Sequence, residues 1–116
     1  MPHLILETTA DLPENADVPD ILEALVEALA QQAGVRSASI KAYHTLRSVW
    51  HMGEGAPAGF AHLTVAVLAG RDVAWRQEVA QRLYAVLTQH LAQSLANAEV
   101  AVTLEVREMD PATYVR

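Results

Sequence analysis

The residue of this chain best suited to acid–base chemistry is Pro2, in the opening stretch "MPHLILE". With Met1 removed, its ring nitrogen is a free secondary amine; with Met1 retained, the same atom is an inert amide. A general base works best with a pKa near the operating pH. An ordinary α-amine titrates at about 7.7–8.0 and proline's secondary amine somewhat higher. Apolar neighbours such as Leu4, and nearby cations, penalise the ammonium form and bring that value down. No rival constellation stands out. The five histidines, His3, His44, His51, His62 and His90, show neither H-x-H nor H-E-x-x-H spacing, and there is no cysteine, so no metal site is expected. His44 and His90 fall on apolar sets and read as core residues. His62 falls on the polar alternation of a strand, where it would line a pocket. Neither it, Glu7 nor the surroundings of His51 has a partner arrangement that would tune it.

Cations come next, because the chain has few. Its formal net charge is −6 with only 8 lysines and arginines, which argues against nucleic acid as a partner. The overall field would not steer an anionic ligand in, so local cations must capture it. Arg71, in "LAGRD", falls between a strand and a helix, where helix N–H groups and a guanidinium both suit carboxylates. A solvated loop arginine fits those residues equally well. Lys41 and Arg47 share one face of a strand with Tyr43 between them, an arrangement that commonly serves only solubility. "GEGAPAG" superficially resembles a nucleotide-binding glycine fingerprint, but its third glycine is one residue late and a strand follows it instead of a helix.

The elements that must position these residues repeat. The run from Pro2 to Thr8 carries apolar residues on both alternating sets and reads as a strand. "DVPDILEALVEALAQQAG" reads as a helix, with Asp17 as N-cap, Pro19 in the first turn, an apolar stripe of Ile21, Leu22, Leu25, Val26 and Leu29, and Gly34 as its stop. "SASIKAYHTLRSVW" alternates and reads as a long second strand. After the flexible "HMGEGAPAG", the pattern recurs: a strand in "FAHLTVAVLA", a helix capped by Asp72 running through "AQSL", and a strand in "EVAVTLEVRE". The expectation is one α/β (α+β) domain over 1–116 with β-α-β halves at about 2–50 and 60–107. Strands within each half are parallel, giving a four-stranded mixed sheet with two helices on one face. Apolar residues on the other face predict contact with another subunit. No stretch approaches a membrane span, and the first residues lack a signal-peptide pattern, so the expected location is cytoplasmic.

Pro2, the paired β-α-β units and Arg71 resemble the tautomerase superfamily, and within it the 5-carboxymethyl-2-hydroxymuconate isomerases. The stretches that carry the likeness are "MPHLILE", "ADVPDI", "VWHMGEG", "FAHLTV" and "AGRD" followed by Arg76-Gln77, in order along most of the chain. The resemblance implies a homotrimer without cofactor, whose Pro2 moves a proton between carbons of an unsaturated keto acid through a dienol. It implies further that Arg71 binds a substrate carboxylate and polarises the adjoining oxygen. The family's second arginine corresponds to Lys41, which keeps the charge and loses the planar fork. "MDPATYVR" closes the chain earlier than that branch leads one to expect.

The reading that follows is an isomerase acting on a small unsaturated dicarboxylic acid by keto–enol isomerisation. Pro2 and Arg71 are catalytic, Arg71 and Lys41 bind substrate, and His62, Tyr43 and Arg47 are further pocket candidates. Two alternatives stay open: hydration, decarboxylation or dehalogenation on the same scaffold, and a non-catalytic trimeric binding protein.

Overall fold

Alternation of apolar and polar side chains sets the sheet. In the computed structural model, which describes residues 2–116, the first strand, β1, spans His3–Thr9 and buries Leu4, Leu6 and Thr8 on one face. Met1, on whose removal the Pro2 chemistry depends, lies outside the described residues. The remaining strands are β2 (Lys41–Arg47), β3 (Gly59–Leu68) and β4 (Val100–Met109), in the spatial order β2-β1-β3-β4. β1 runs parallel to β2 and β3 parallel to β4, while the central pair β1–β3 is antiparallel. Each half is thus a parallel β-α-β unit, and the two units join through their first strands.

Helix α1 (Val18–Ala30) and helix α2 (Val73–His90) lie against the Leu4–Leu6 face. Ile21, Leu25 and Leu29 of α1 and Val79, Leu83 and Leu87 of α2 meet Leu4, Leu6, Leu63 and Val65 in one core. Each such side chain contributes roughly 1.5–3 kcal/mol by leaving water. Asp72 caps α2 as expected, its carboxylate accepting from Trp75 N–H at 2.9 Å.

Several boundaries differ from the sequence reading, each for a local reason. Asp17 makes no side-chain cap. A 3₁₀ helix at Pro13–Asp17 runs directly into α1, and Val18 N–H donates to the carbonyl of Asn15 instead. Gly34 does not terminate α1, which ends at Ala30; it lies beyond, at φ +76°. The second strand is shorter than expected, because Ser37–Ser39 forms a 3₁₀ turn closed by Ile40 N–H on the Ser37 carbonyl. The second long helix breaks at Leu91, where φ −105° and ψ 19° leave the helical region, and a short α3 (Ala92–Ala96) follows. Buried Glu14 ties α3 to the first 3₁₀ turn, accepting from Ser94 N–H at 3.0 Å and Ser94 Oγ–H at 2.5 Å.

The sheet face away from the helices is more polar than the alternation suggested. His3, Ile5 and Glu7 there sit beside Ala66, Thr64 and His62, and beside Lys41, Tyr43 and Thr45. Exposed apolar side chains include Leu46 at the end of β2 and Val49 just beyond it, at 50% and 90% exposure, with Val73 at the start of α2 and Val115 near the C-terminus. Among the described residues no helix is long and apolar enough to cross a membrane.

Candidate active site

Pro2 is buried where the chain enters β1, and its carbonyl accepts from Lys41 N–H at 3.0 Å across the parallel β1–β2 pair. That register places the lysine next to the proline. Arg71 arrives from the opposite half, on the connection between β3 and α2, after Gly70 at φ +123° turns the chain. Pro2, Lys41 and Arg71 line one cavity of about 610 Å³, together with Gly34, Arg36, Ser39, Val67, Leu68, Trp75, Tyr114 and Arg116 among others. Four of the chain's 8 lysines and arginines thus line it, and none of its 14 aspartates and glutamates does.

Arg71 is held in place by the loop that follows α1. Its Nη1 and Nη2 donate to the carbonyls of Ala33 and Gly34 at 2.6 and 3.0 Å. The guanidinium carbon lies 4.2 Å from the centre of the Trp75 ring, and Trp75 Nε1 donates to the same Ala33 carbonyl at 3.1 Å. A guanidinium has five N–H donors in a plane, so two fixed bonds and a stacked ring orient the group and leave donors for an anion. Asp72 occupies the α2 terminus. The helix end that the sequence reading counted as a second contributor to anion binding thus already carries a carboxylate on its Trp75 N–H.

His62, Tyr43 and Arg47 do not line this cavity. All three lie on the sheet face away from the helices and have other partners there. His62 Nδ1 is 2.7 Å from Thr103 Oγ1, with Glu105 at 3.9 Å from Nε2. Arg47 grips the Glu7 carboxylate through Nε at 2.9 Å and Nη2 at 2.5 Å. Tyr43 Oη is 3.3 Å from His3 Nδ1. His44 is partly buried and bonded to Thr8 Oγ1 at 2.7 Å, and burial holds its pKa below the ordinary histidine value.

Sequence reasoning missed Arg36, Trp75, Tyr114 and Arg116. Trp75 had a signal: four residues after Arg71, it comes round to the arginine's side of the first helical turn. Arg36, Tyr114 and Arg116 come from irregular segments that only the tertiary fold brings together. Among the described residues no three histidine, aspartate or glutamate side chains converge as metal ligands would. The groups that do converge set positive charge beside Pro2, an environment suited to an anion.

Comparison with known proteins gives the chain a family. The family model for 5-carboxymethyl-2-hydroxymuconate isomerase matches residues 2–116. The 5-carboxymethyl-2-hydroxymuconate Delta-isomerase of Escherichia coli is 27% identical over 112 residues, covering 96% of this chain and 89% of that one. A crystal structure of a 5-carboxymethyl-2-hydroxymuconate isomerase from Deinococcus radiodurans R1 superimposes with a TM-score of 0.90 at 29% identity, over 99% of this chain and 87% of that one. A fused 4-OT described as a wild-type symmetric trimer shares the fold, with a TM-score of 0.66 at 24% identity over 97% and 94% of the two chains.

Proposed function

The chain belongs to the 5-carboxymethyl-2-hydroxymuconate isomerase family of the tautomerase superfamily, and from that premise we propose that it isomerises a small unsaturated dicarboxylic keto acid through Pro2. One observation carries the reading: in an acidic protein, a single cavity joins a buried second-position proline to four cations and excludes every aspartate and glutamate.

In the proposed reaction Met1 has been removed, and the Pro2 nitrogen is present as the free base. Burial and the neighbouring cations favour that form, since each penalises the ammonium. The nitrogen takes a proton from a carbon flanked by the carbonyl and the double bond. Electron density moves to the carbonyl oxygen, giving a dienolate. Arg71, already oriented by Ala33, Gly34 and Trp75, donates to that oxygen or to the carboxylate beside it, where preorganised donors act most strongly. The proton then returns to a carbon further along the conjugated chain, so no atom is gained or lost. Lys41 supplies a second, more mobile charge for the other carboxylate. A lysine there holds by charge without the bidentate geometry of an arginine, which suits a carboxylate whose position varies between substrates.

The same reading includes a homotrimer in the cytoplasm. Support for the trimer comes from the symmetric trimeric relative of the same fold and from the exposed Leu46 and Val49 at the end of an edge strand. The test of the whole reading compares two preparations sorted by intact mass, one lacking Met1 and one retaining it. Ultraviolet absorbance follows the isomerisation of 2-hydroxymuconate and its 5-carboxymethyl derivative. Processed protein should turn them over with a basic limb near neutrality in its rate–pH profile. Equal activity with Met1 retained rules out Pro2 as the base.

A further inference from the structure

Tyr114 lines the Pro2 cavity from the far end of the chain. A turn at Asp110 brings it there: Ala112 N–H donates to Asp110 Oδ1 at 2.9 Å, and the N–H groups of Thr113 and Tyr114 donate to the Asp110 carbonyl at 3.1 and 3.0 Å. Its hydroxyl then lies 2.8 Å from His3 Nε2, the rings edge to face with centroids 5.9 Å apart. On the other side of the same imidazole, Tyr43 Oη lies 3.3 Å from Nδ1, again edge to face, at 6.0 Å. His3 is therefore held between two phenols, one at each ring nitrogen.

Burial, and then the charge of Lys41, keep the His3 pKa below its ordinary value. At neutral pH the ring carries one proton, and so offers one donor and one acceptor. Two arrangements satisfy both phenols. In the first, Tyr114 donates its proton to Nε2 and keeps only lone pairs for a further partner. In the second, Tyr43 donates to Nδ1, Nε2–H donates to the Tyr114 oxygen, and the Tyr114 proton is left over. The cavity is lined by Arg36, Lys41 and Arg71, so its occupant is an anion. Lone pairs repel an anion, whereas an O–H donor is attracted to it. Only the second arrangement complements the rest of the site.

We infer that Tyr114 is a substrate-binding donor for the anion in the Pro2 cavity, set in that role by the hydrogen-bond chain Tyr43–His3–Tyr114. The inference rests on the reading of this cavity as a carboxylate site. It adds the residue that tells a hydrogen-bond-accepting oxygen from a bare charge, since Tyr114 is a neutral donor among cations.

Adipate, a saturated dicarboxylate that cannot isomerise, is the probe. Its binding to the full chain is measured by calorimetry, and the His3 ring proton is located by nitrogen-15 NMR. In the adipate complex of the unaltered protein the proton should reside on Nε2. Tyr114→Phe should weaken adipate binding about 10-fold, the loss expected for a hydrogen bond to a charged group. Tyr43→Phe should weaken it less, and should have no effect in the Tyr114→Phe background, because the two act in series. Adipate binding left unchanged by Tyr114→Phe, a proton on Nδ1 in the complex, or additive effects of the two variants each overturns the inference. These outcomes differ from failure of adipate to bind the unaltered protein, which overturns the carboxylate site itself and this inference with it. The NMR measurement needs no variant, so it decides even if Tyr114→Phe folds poorly.

Discussion

Gly34 and Arg71 fit each other so closely that a Cβ added to the glycine would lie 3.1 Å from Arg71 Nη1 and 3.2 Å from Nη2. The glycine also sits at φ +76°, where a side chain is strained by about 1–2 kcal/mol. Gly34→Ala should therefore lower the melting temperature by a few degrees and displace the guanidinium. The separable signature is a raised KM for a dicarboxylate substrate, beyond anything seen in a control variant of equal stability loss elsewhere. A variant destabilised but unchanged in KM would show that Arg71 tolerates the move.

Replacing Arg71 by lysine tests orientation against charge. Arg71→Lys keeps the cation but loses the planar fork that engages Ala33 and Gly34 and the stack on Trp75. We expect kcat/KM to fall about 100-fold, the scale of losing one preorganised donor. Activity within about twofold of the parent would mean that charge alone suffices.

Two histidines set an acid limit on stability. Burial depresses His3, aided by Lys41, and burial alone depresses His44. Between the ordinary value of about 6.5 and the lowered folded values, the unfolded chain binds more protons than the folded one, so stability falls as pH falls. Below the folded values the loss levels off. Melting temperature followed from pH 8 to pH 5 should decline through that window, and the decline should shrink in His44→Gln. An unchanged slope would place the acid sensitivity elsewhere.

Glu14→Ala should leave Ser94 N–H and Oγ buried without their partner, at a cost of roughly 1–3 kcal/mol. Neither residue lines the cavity, so kcat at a temperature where the variant is folded should match the parent. Denaturant unfolding and steady-state kinetics on one preparation would separate the two effects.

The double β-α-β pattern was legible because strand and helix periods differ sharply in stretches such as "FAHLTVAVLA" and "LEALVEALA". Pro2 and Arg71 stood out by type and by their positions beside element ends, whereas Lys41 read from its strand as a solvated charge and entered the candidate site only through the family resemblance. The 3₁₀ turn at Pro13–Asp17 was not, since Pro13 and Asp17 give the same signals for a turn and a helix cap. Tyr114 was hidden for another reason. Its place beside His3 depends on strand order and on the Asp110 turn, neither of which leaves a periodic trace. The open-face residues His62 and Arg47 misled because polar alternation marks a solvated face as readily as a pocket wall.

The unequal sorting of charge has a kinetic consequence. With four cations gathered around the cavity, the other four are set against all 14 carboxylates on the rest of the molecule. A doubly charged acid approaching from afar meets repulsion first and attraction only at the mouth. Dissolved ions damp the far field more effectively than the near one, with a screening length of about 8 Å at physiological strength. Modest salt should therefore hasten capture, and only strong brine should loosen the grip, so that the rate of capture passes through a maximum as ionic strength rises.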